Sequence, residues 1–319
     1  MEELRIPIFT EKRDMKDFAR RHRMAGKRVG LVGTMGAVHA GHLSLVHRAA
    51  ELCDIVICMI YINPAQFTVN EDFDSYPRSM TTDALQIQQA GAHAVFAPKT
   101  FYHVIEDSAA DADAAAAADK AQVVGQEQQV HPMAHETWVT VERMQQGLCG
   151  QSRPHLFRGI ATICIKMYNT MMPDVFVLGQ KDYQQNRVIE RLTRDLDFDV
   201  EVVEAPTVRE ADGLAMSSRN VNLTPEARAQ APAIYAALSW AQQAAQQRQV
   251  TSATDLVAEV TARIAAAGGR VDYVEARHAE HLEVVQGDVT AQLTVIAVAV
   301  NYEGKRGKDV RLTDNIVIR

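Results

Sequence analysis

Apolar residues follow two rhythms along this chain. Short unbroken runs alternate with longer stretches in which apolar positions recur every three or four residues. Residues 11–24 carry Met15, Phe18 and Ala19 among charges, a helical spacing with Thr10 as its N-cap. Residues 29–32 then read as a buried strand. Leu43, Leu45 and Val46 place a helix after His39, and residues 55–62 (IVICMIYI) make a second strand. Its continuous apolar character suits a parallel strand covered on both faces. A helix ends near Gly91, and residues 94–97 form a third strand. Residues 137–141 look strand-like, 160–171 helical, 174–178 a buried strand, and a helix runs on to Asp195 before a strand at 199–203. Strand, helix, strand at this spacing predicts right-handed βαβ units. Beyond Val208 the layout changes. Residues 225–247 and 253–267 predict alanine-rich helices, and 271–276, 293–300 and 310–312 predict strands. The chain therefore divides into an α/β unit, 1–207, and a smaller α+β unit, 208–319.

One stretch breaks both rhythms. Residues 106–133 include SAADADAAAAADK and GQEQQ, low in complexity and short of apolar side chains, and read as an insertion.

Composition narrows the class. At 319 residues with 47% hydrophobic and 23% charged positions, a large core is expected. A net charge of −7 argues against nucleic-acid binding as the main role. No run approaches the ~18 apolar residues of a membrane span, and the acidic start MEELRIPIF lacks the apolar run of a signal peptide. Cys53, Cys58, Cys149 and Cys164 follow no disulfide or zinc spacing. These readings predict a cytoplasmic protein with no membrane partner.

The chemistry concentrates where strands end. After the strand at 29–32 come Gly33, Thr34, Met35 and Gly36, then His39-Ala40-Gly41-His42 opening a helix. Strand, glycine loop and helix present free N–H groups and a positive dipole end to a phosphate. Two histidines at i and i+3 share a face and can donate to phosphate oxygens, although a helix cap with surface histidines, or a zinc pair, fits the same residues. The second strand delivers Asn63, Pro64, Ala65 and Gln66; an amide there suits a small polar ligand or a turn. Lys181 and Asp182 follow the strand at 174–178, where a lysine can neutralise phosphate charge and an aspartate can cap a helix, bind ribose or hold a metal. Residues 216–219, Met-Ser-Ser-Arg, offer two hydroxyls and a guanidinium. Each segment alone also reads as an ordinary polar loop.

Five segments taken in order, TMGAVHAGH, NPAQF, YPR with its downstream Asp83, GQKDYQQ and READGLAMSSRN, resemble the pantothenate synthetases of the H-x-G-H nucleotidyltransferase superfamily. The resemblance spans the chain except 106–133. It implies a Rossmann-like parallel-sheet domain with a C-terminal lid domain, commonly a homodimer. The implied activity is ATP-dependent joining of pantoate to β-alanine through a pantoyl adenylate, with Mg2+. It implies catalytic roles for His39, His42, Lys181, Ser217, Ser218 and Arg219. Further ATP contacts would come from Thr34, Met35, Gly41, Gly179, Asp182, Val208 and Met216. Met35, Asn63, Gln66, Arg153 and Gln185 would hold pantoate, and Asp83 would contact magnesium. Three positions depart from the family pattern: Gly33 stands where proline is usual, Gln180 where glutamate is frequent, and Leu156, with His155 one residue earlier, where a histidine is usual. Two rival readings remain, another transferase of the superfamily and a non-catalytic nucleotide-binding protein.

Overall fold

The computed structural model describes residues 3–68, 73, 76–102 and 135–319. The insertion at 106–133 lies outside the described residues, as does part of the segment before Tyr76. Six parallel strands form the first sheet in the order β1-β4-β3-β2-β5-β6. They are β1 (Ile8–Phe9), β2 (Val29–Thr34), β3 (Ile55–Ile60), β4 (Ala94–Phe96), β5 (Val175–Gly179) and β6 (Glu201–Ala205). Both faces of this sheet are covered, and side-chain alternation sorts them. Ile55, Ile57 and Met59 face one apolar cluster with α1 (Lys12–Met24), the short α4 (Cys149–Ser152), α5 (Leu156–Met171) and α6 (Tyr183–Asp195). Val56, Cys58 and Ile60 face another with α2 (Ala40–Leu52) and α3 (Met80–Gln89). The order reverses between β2 and β5, so a crevice opens beyond their carboxyl ends.

The second sheet is antiparallel, β7 (Arg270–His278), β8 (Thr294–Glu303) and β9 (Asp309–Ile318), in that order. It packs with α7 (Pro225–Gln230), α8 (Ala233–Gln246) and α9 (Ala253–Ala266). Leu256, Val260 and Ile264 recur every four residues along α9 and are fully buried. The two sheets are not isolated. Ala279, Leu282, Val295 and Ala297 join the first sheet's core, and the Tyr183 hydroxyl donates to Ala279 O at 3.0 Å.

Several sequence expectations need correction. Residues 137–141 are not a strand. Val139 N donates to the Thr162 hydroxyl at 3.0 Å and Arg158 stacks on Trp138 at 4.6 Å. The Val139 N–H is thus paired with α5 rather than with a neighbouring strand. The helix expected over 225–247 breaks between α7 and α8 at Pro232, which lacks the N–H an unbroken helix needs. Its N-cap is Thr224, whose hydroxyl accepts from Ala227 N. Strand β9 runs well beyond 310–312, and β1, at two residues, is too short to show a pattern in sequence.

Candidate active site

A cleft of about 1040 Å³ lies over the carboxyl ends of β2 and β5 and is roofed by the second sheet. Its first wall is the turn after β2. Gly36 and Ala37 both adopt left-handed backbone conformations, φ +94° and +50°. Such a turn leaves N–H groups without helical or strand partners. Asp83, on α3 and 2% exposed, satisfies them: its two oxygens accept from Ala37 N and Val38 N, each at 3.0 Å. Asp83 therefore clamps the turn from behind and does not line the cleft, contrary to the magnesium role expected for it. Thr34 is also off the cleft, its hydroxyl accepting from Gly36 N at 3.1 Å.

His39 caps α2, with Nδ1 accepting from Gly41 N at 3.2 Å. That bond leaves Nε2 as its N–H donor in the neutral ring. A Cβ at position 41 would meet the His39 ring at 2.9 Å, so the close approach requires glycine. The His39 and His42 rings lie 4.0 Å apart between centroids. Burial, then the neighbouring His39, push His42 down to about 3; burial, then the Lys181 charge, also lower His39. Both imidazoles are therefore neutral donors near neutral pH. His42 Nδ1 is buried without a hydrogen-bond partner.

Lys181 and Asp182 come from a one-turn 3-10 helix at the end of β5. The Lys181 ammonium sits 3.6 Å from Asp182 Oδ1 and donates to the Thr313 hydroxyl at 3.4 Å. Opposite them stands the 216–219 run. Its Ser218 hydroxyl shares a 2.8 Å hydrogen bond with Tyr76, and Arg219 lies 6.0 Å from the Tyr76 ring centroid. Gly33, Met35, Gly179 and Val208 complete this end.

Gln66 and Gln185 reach the same cleft. Asn63 does not. It is 1% exposed and sits behind Gln66, donating to Gln66 Oε1 at 2.8 Å and accepting from the Tyr102 hydroxyl at 2.6 Å. It also donates to Gly159 O, where a Cβ would clash with Ala65 O at 2.3 Å. Arg153 lines the cleft and donates to Gln66 O at 2.7 Å, so it holds the glutamine's backbone. Asn63 is thus a support for the glutamine rather than a ligand contact. Leu156 lines the cleft where the family pattern has a histidine.

Tyr76, part of the YPR motif without an expected role of its own, and the β8–β9 turn also line the cleft. That turn brings Lys305, Arg306 and Lys308 to the rim, where Lys305 Nζ donates to Val221 O at 2.7 Å. The cluster GKRGK was a visible signal, but only the hairpin's return shows where it points.

The arrangement has recognisable relatives. The family model described as Pantoate-beta-alanine ligase matches residues 7–317. A pantoate–beta-alanine ligase of Lotus japonicus is 42% identical over 316 residues, covering 98% of each chain. The crystal structure of pantothenate synthetase from Thermus thermophilus superposes with a TM-score of 0.79 at 32% identity, covering 98% of this chain and 99% of that one. A Francisella tularensis pantoate–beta-alanine ligase, complexed with beta-gamma ATP and beta-alanine, gives a TM-score of 0.69 at 27% identity, covering 98% of each. No helix among the described residues is long and apolar enough to cross a membrane. On these grounds the chain belongs to the pantoate–beta-alanine ligase family.

Proposed function

We propose that this enzyme condenses (R)-pantoate with β-alanine through a pantoyl adenylate, at the expense of ATP. The observation that carries the reading is one cleft, about 1040 Å³, in which the histidine pair, Lys181 and the 216–219 run face Gln66 and Gln185. That volume suits a nucleotide with a small acid beside it. The Francisella relative binds ATP and β-alanine in the same fold, which supports two of the three substrates.

The pantoate carboxylate attacks the α-phosphorus and pyrophosphate leaves. The β-alanine amine then attacks the acyl carbon, AMP leaves, and the amine's surplus proton is released. No protein nucleophile is needed; alignment and charge stabilisation suffice. Neutral His39 and His42 donate to phosphate oxygens, and Lys181, Ser217, Ser218 and Arg219 offset the charge that builds on the leaving pyrophosphate. Gln66, its Oε1 already engaged by Asn63, has its amide N–H groups for pantoate. An amide steadies a hydroxyl without blunting the attacking carboxylate, as a guanidinium would.

The donor set fits a magnesium ion carried mainly by the substrate's phosphates. Among the described residues no three metal-ligating side chains cluster, while the Asp182 side chain is 53% exposed on the cleft. Magnesium is usually bound by one or two carboxylates plus phosphates, and Asp182 would hold it here. There it would supply Lewis-acid withdrawal of charge from the phosphates. The same reading includes a homodimer and a cytoplasmic setting.

Exchange of labelled pyrophosphate into ATP tests the order of events. It is expected with pantoate and without β-alanine. Exchange lacking any pantoate requirement, or appearing only with β-alanine, would overturn the adenylate. A superfamily transferase acting on another substrate would fail with pantoate, and a non-catalytic nucleotide binder would bind ATP without exchange.

A further inference from the structure

Residues 313–315 of β9 belong to none of the five motifs, yet they touch both phosphate-facing elements. Asn315, 4% exposed, donates from Nδ2 to Gln180 O at 2.9 Å and to Lys181 O at 3.0 Å. Both partners are carbonyls, so the amide's NH2 must face them; its oxygen is left buried without a donor. Thr313 accepts from the Lys181 ammonium at 3.4 Å. Asp314, 3% exposed, grips Arg209 through two bonds of 2.6 and 3.0 Å. Arg209 in turn donates to Gly213 O at 3.2 Å and lies 3.7 Å over the Tyr235 ring. Its backbone bridges Ala215, directly ahead of the 216–219 run.

We infer that Thr313, Asp314 and Asn315 form a positioning device that sets Lys181 and the 216–219 run at a fixed separation across the cleft. The inference rests on the phosphate-holding roles proposed above. Lys181 follows a strand of the parallel sheet, whereas the 216–219 run, among the described residues, pairs with no strand of either sheet. Neither element by itself determines its distance from the other. Strand β9 does, because it is locked to β8 over ten residue pairs. Two bonds from one amide to consecutive carbonyls fix the orientation of the 3-10 turn, and Thr313 restrains a side chain with four rotors. Displacements near 1 Å at such groups are felt as rate.

The test is pyrophosphate exchange with pantoate, combined with thermal melts. Asn315→Ala is expected to lower turnover roughly 10- to 100-fold while the KM for pantoate stays within about twofold. Asn315→Asp is isosteric, but its ionised carboxylate faces two carbonyls and can donate only when protonated. Its activity relative to wild type should therefore climb as pH falls from 8.5 to 6, while the Asn315→Ala ratio stays flat. The charges facing this position, Lys181, Asp182 and the Arg209–Asp314 pair, are common to all three proteins. Thr313→Val, which keeps the side chain's shape, covers the case where an Asn315 variant fails to fold; a severalfold loss in ATP turnover is expected of it. Wild-type turnover in Asn315→Ala or Thr313→Val, or an Asn315→Asp that tracks Asn315→Ala at every pH, overturns the inference. A wild-type enzyme without pantoate-dependent exchange overturns the function instead.

Discussion

The two sides of the cleft are built differently. The turn at 34–42 continues a buried strand, and its strained backbone is held from behind by one buried carboxylate, Asp83. The 216–219 run lies outside both sheets. It is held by Met216 N bonding to Val208 O, by Asn220 bonding to Glu210 and Ala215 O, and by ion pairs further back. Those pairs join Arg228 to Glu210 and Asp212, each at 2.6 Å, and Arg209 to Asp314. The first side is part of the fold, so its scaffold is felt as stability. The second is suspended between units, so its scaffold is felt as activity.

The largest expected effect falls on a functional atom of the first side. His42→Ala removes a ring whose Nδ1 bonds nothing, so no partner is orphaned. Turnover should fall by about 10² to 10³, on the order of 3–4 kcal/mol, with a near-native melt at pH 8. An equal loss of stability would make His42 scaffold and erase the distinction. Next comes Asp83→Ala, which strands the N–H groups of Ala37 and Val38. A loss on the order of 3 kcal/mol in denaturant titration is expected, with the KM for pantoate little changed. Preserved stability with lost ATP affinity would mean that Asp83 serves the ligand after all.

A smaller effect comes from acid. Unfolded His42 takes up a proton near pH 6.5, but the folded site refuses it until about pH 3. The folded state is therefore favoured above pH 6.5 and loses ground as pH falls through that window. Between pH 6.5 and 5 the loss is about 2 kcal/mol. Melts of wild type and His42→Ala, alike at pH 8, should separate in this range, the variant losing less. Parallel curves would show that the site admits the proton.

How much of this was legible depended on where each side chain's partners lie. The turn after β2 and the GQKDYQQ junction were readable because strand, loop and helix are contiguous in sequence. Asp83 and Asn63 were placed on the right segments, but ligand contacts were expected where the structure shows supporting bonds. Their partners, Ala37 N and Val38 N for one and the Gln66 side chain for the other, are fixed by how the turns fold. The 137–141 run is rich in β-branched and aromatic residues, yet that composition cannot reveal that its hydrogen bond goes to Thr162 on a helix. Tyr76 was visible in the YPR motif but carried no role, and residues 313–315 carried no signal, because their contacts exist only across the cleft. The break at Pro232 was there to be read and was not.

The smallest effect is the most direct test of the suspended side. Arg228 does not line the cleft; it sits two steps back, bonding Glu210 and Asp212. Glu210 in turn takes a bond from Asn220, the residue after the Met-Ser-Ser-Arg run. The Arg228 side chain is 31% exposed, and so is that of Glu210, so solvent screens the pair and its worth is modest, about 1 kcal/mol at most. Arg228→Gln should therefore leave the melt almost unchanged and lower pyrophosphate exchange only about two- to fivefold at low salt. Salt separates this from a generic defect. Both proteins lose ATP affinity as ionic strength rises, but only the wild type also loses the screened ion pairs. Its advantage over Arg228→Gln should shrink toward unity between 20 mM and 500 mM KCl, concentrations roughly spanning Debye lengths of 20 to 4 Å. A ratio that holds constant across that range would mean that shape rather than charge supports the run, and that the two sides of the cleft are held alike.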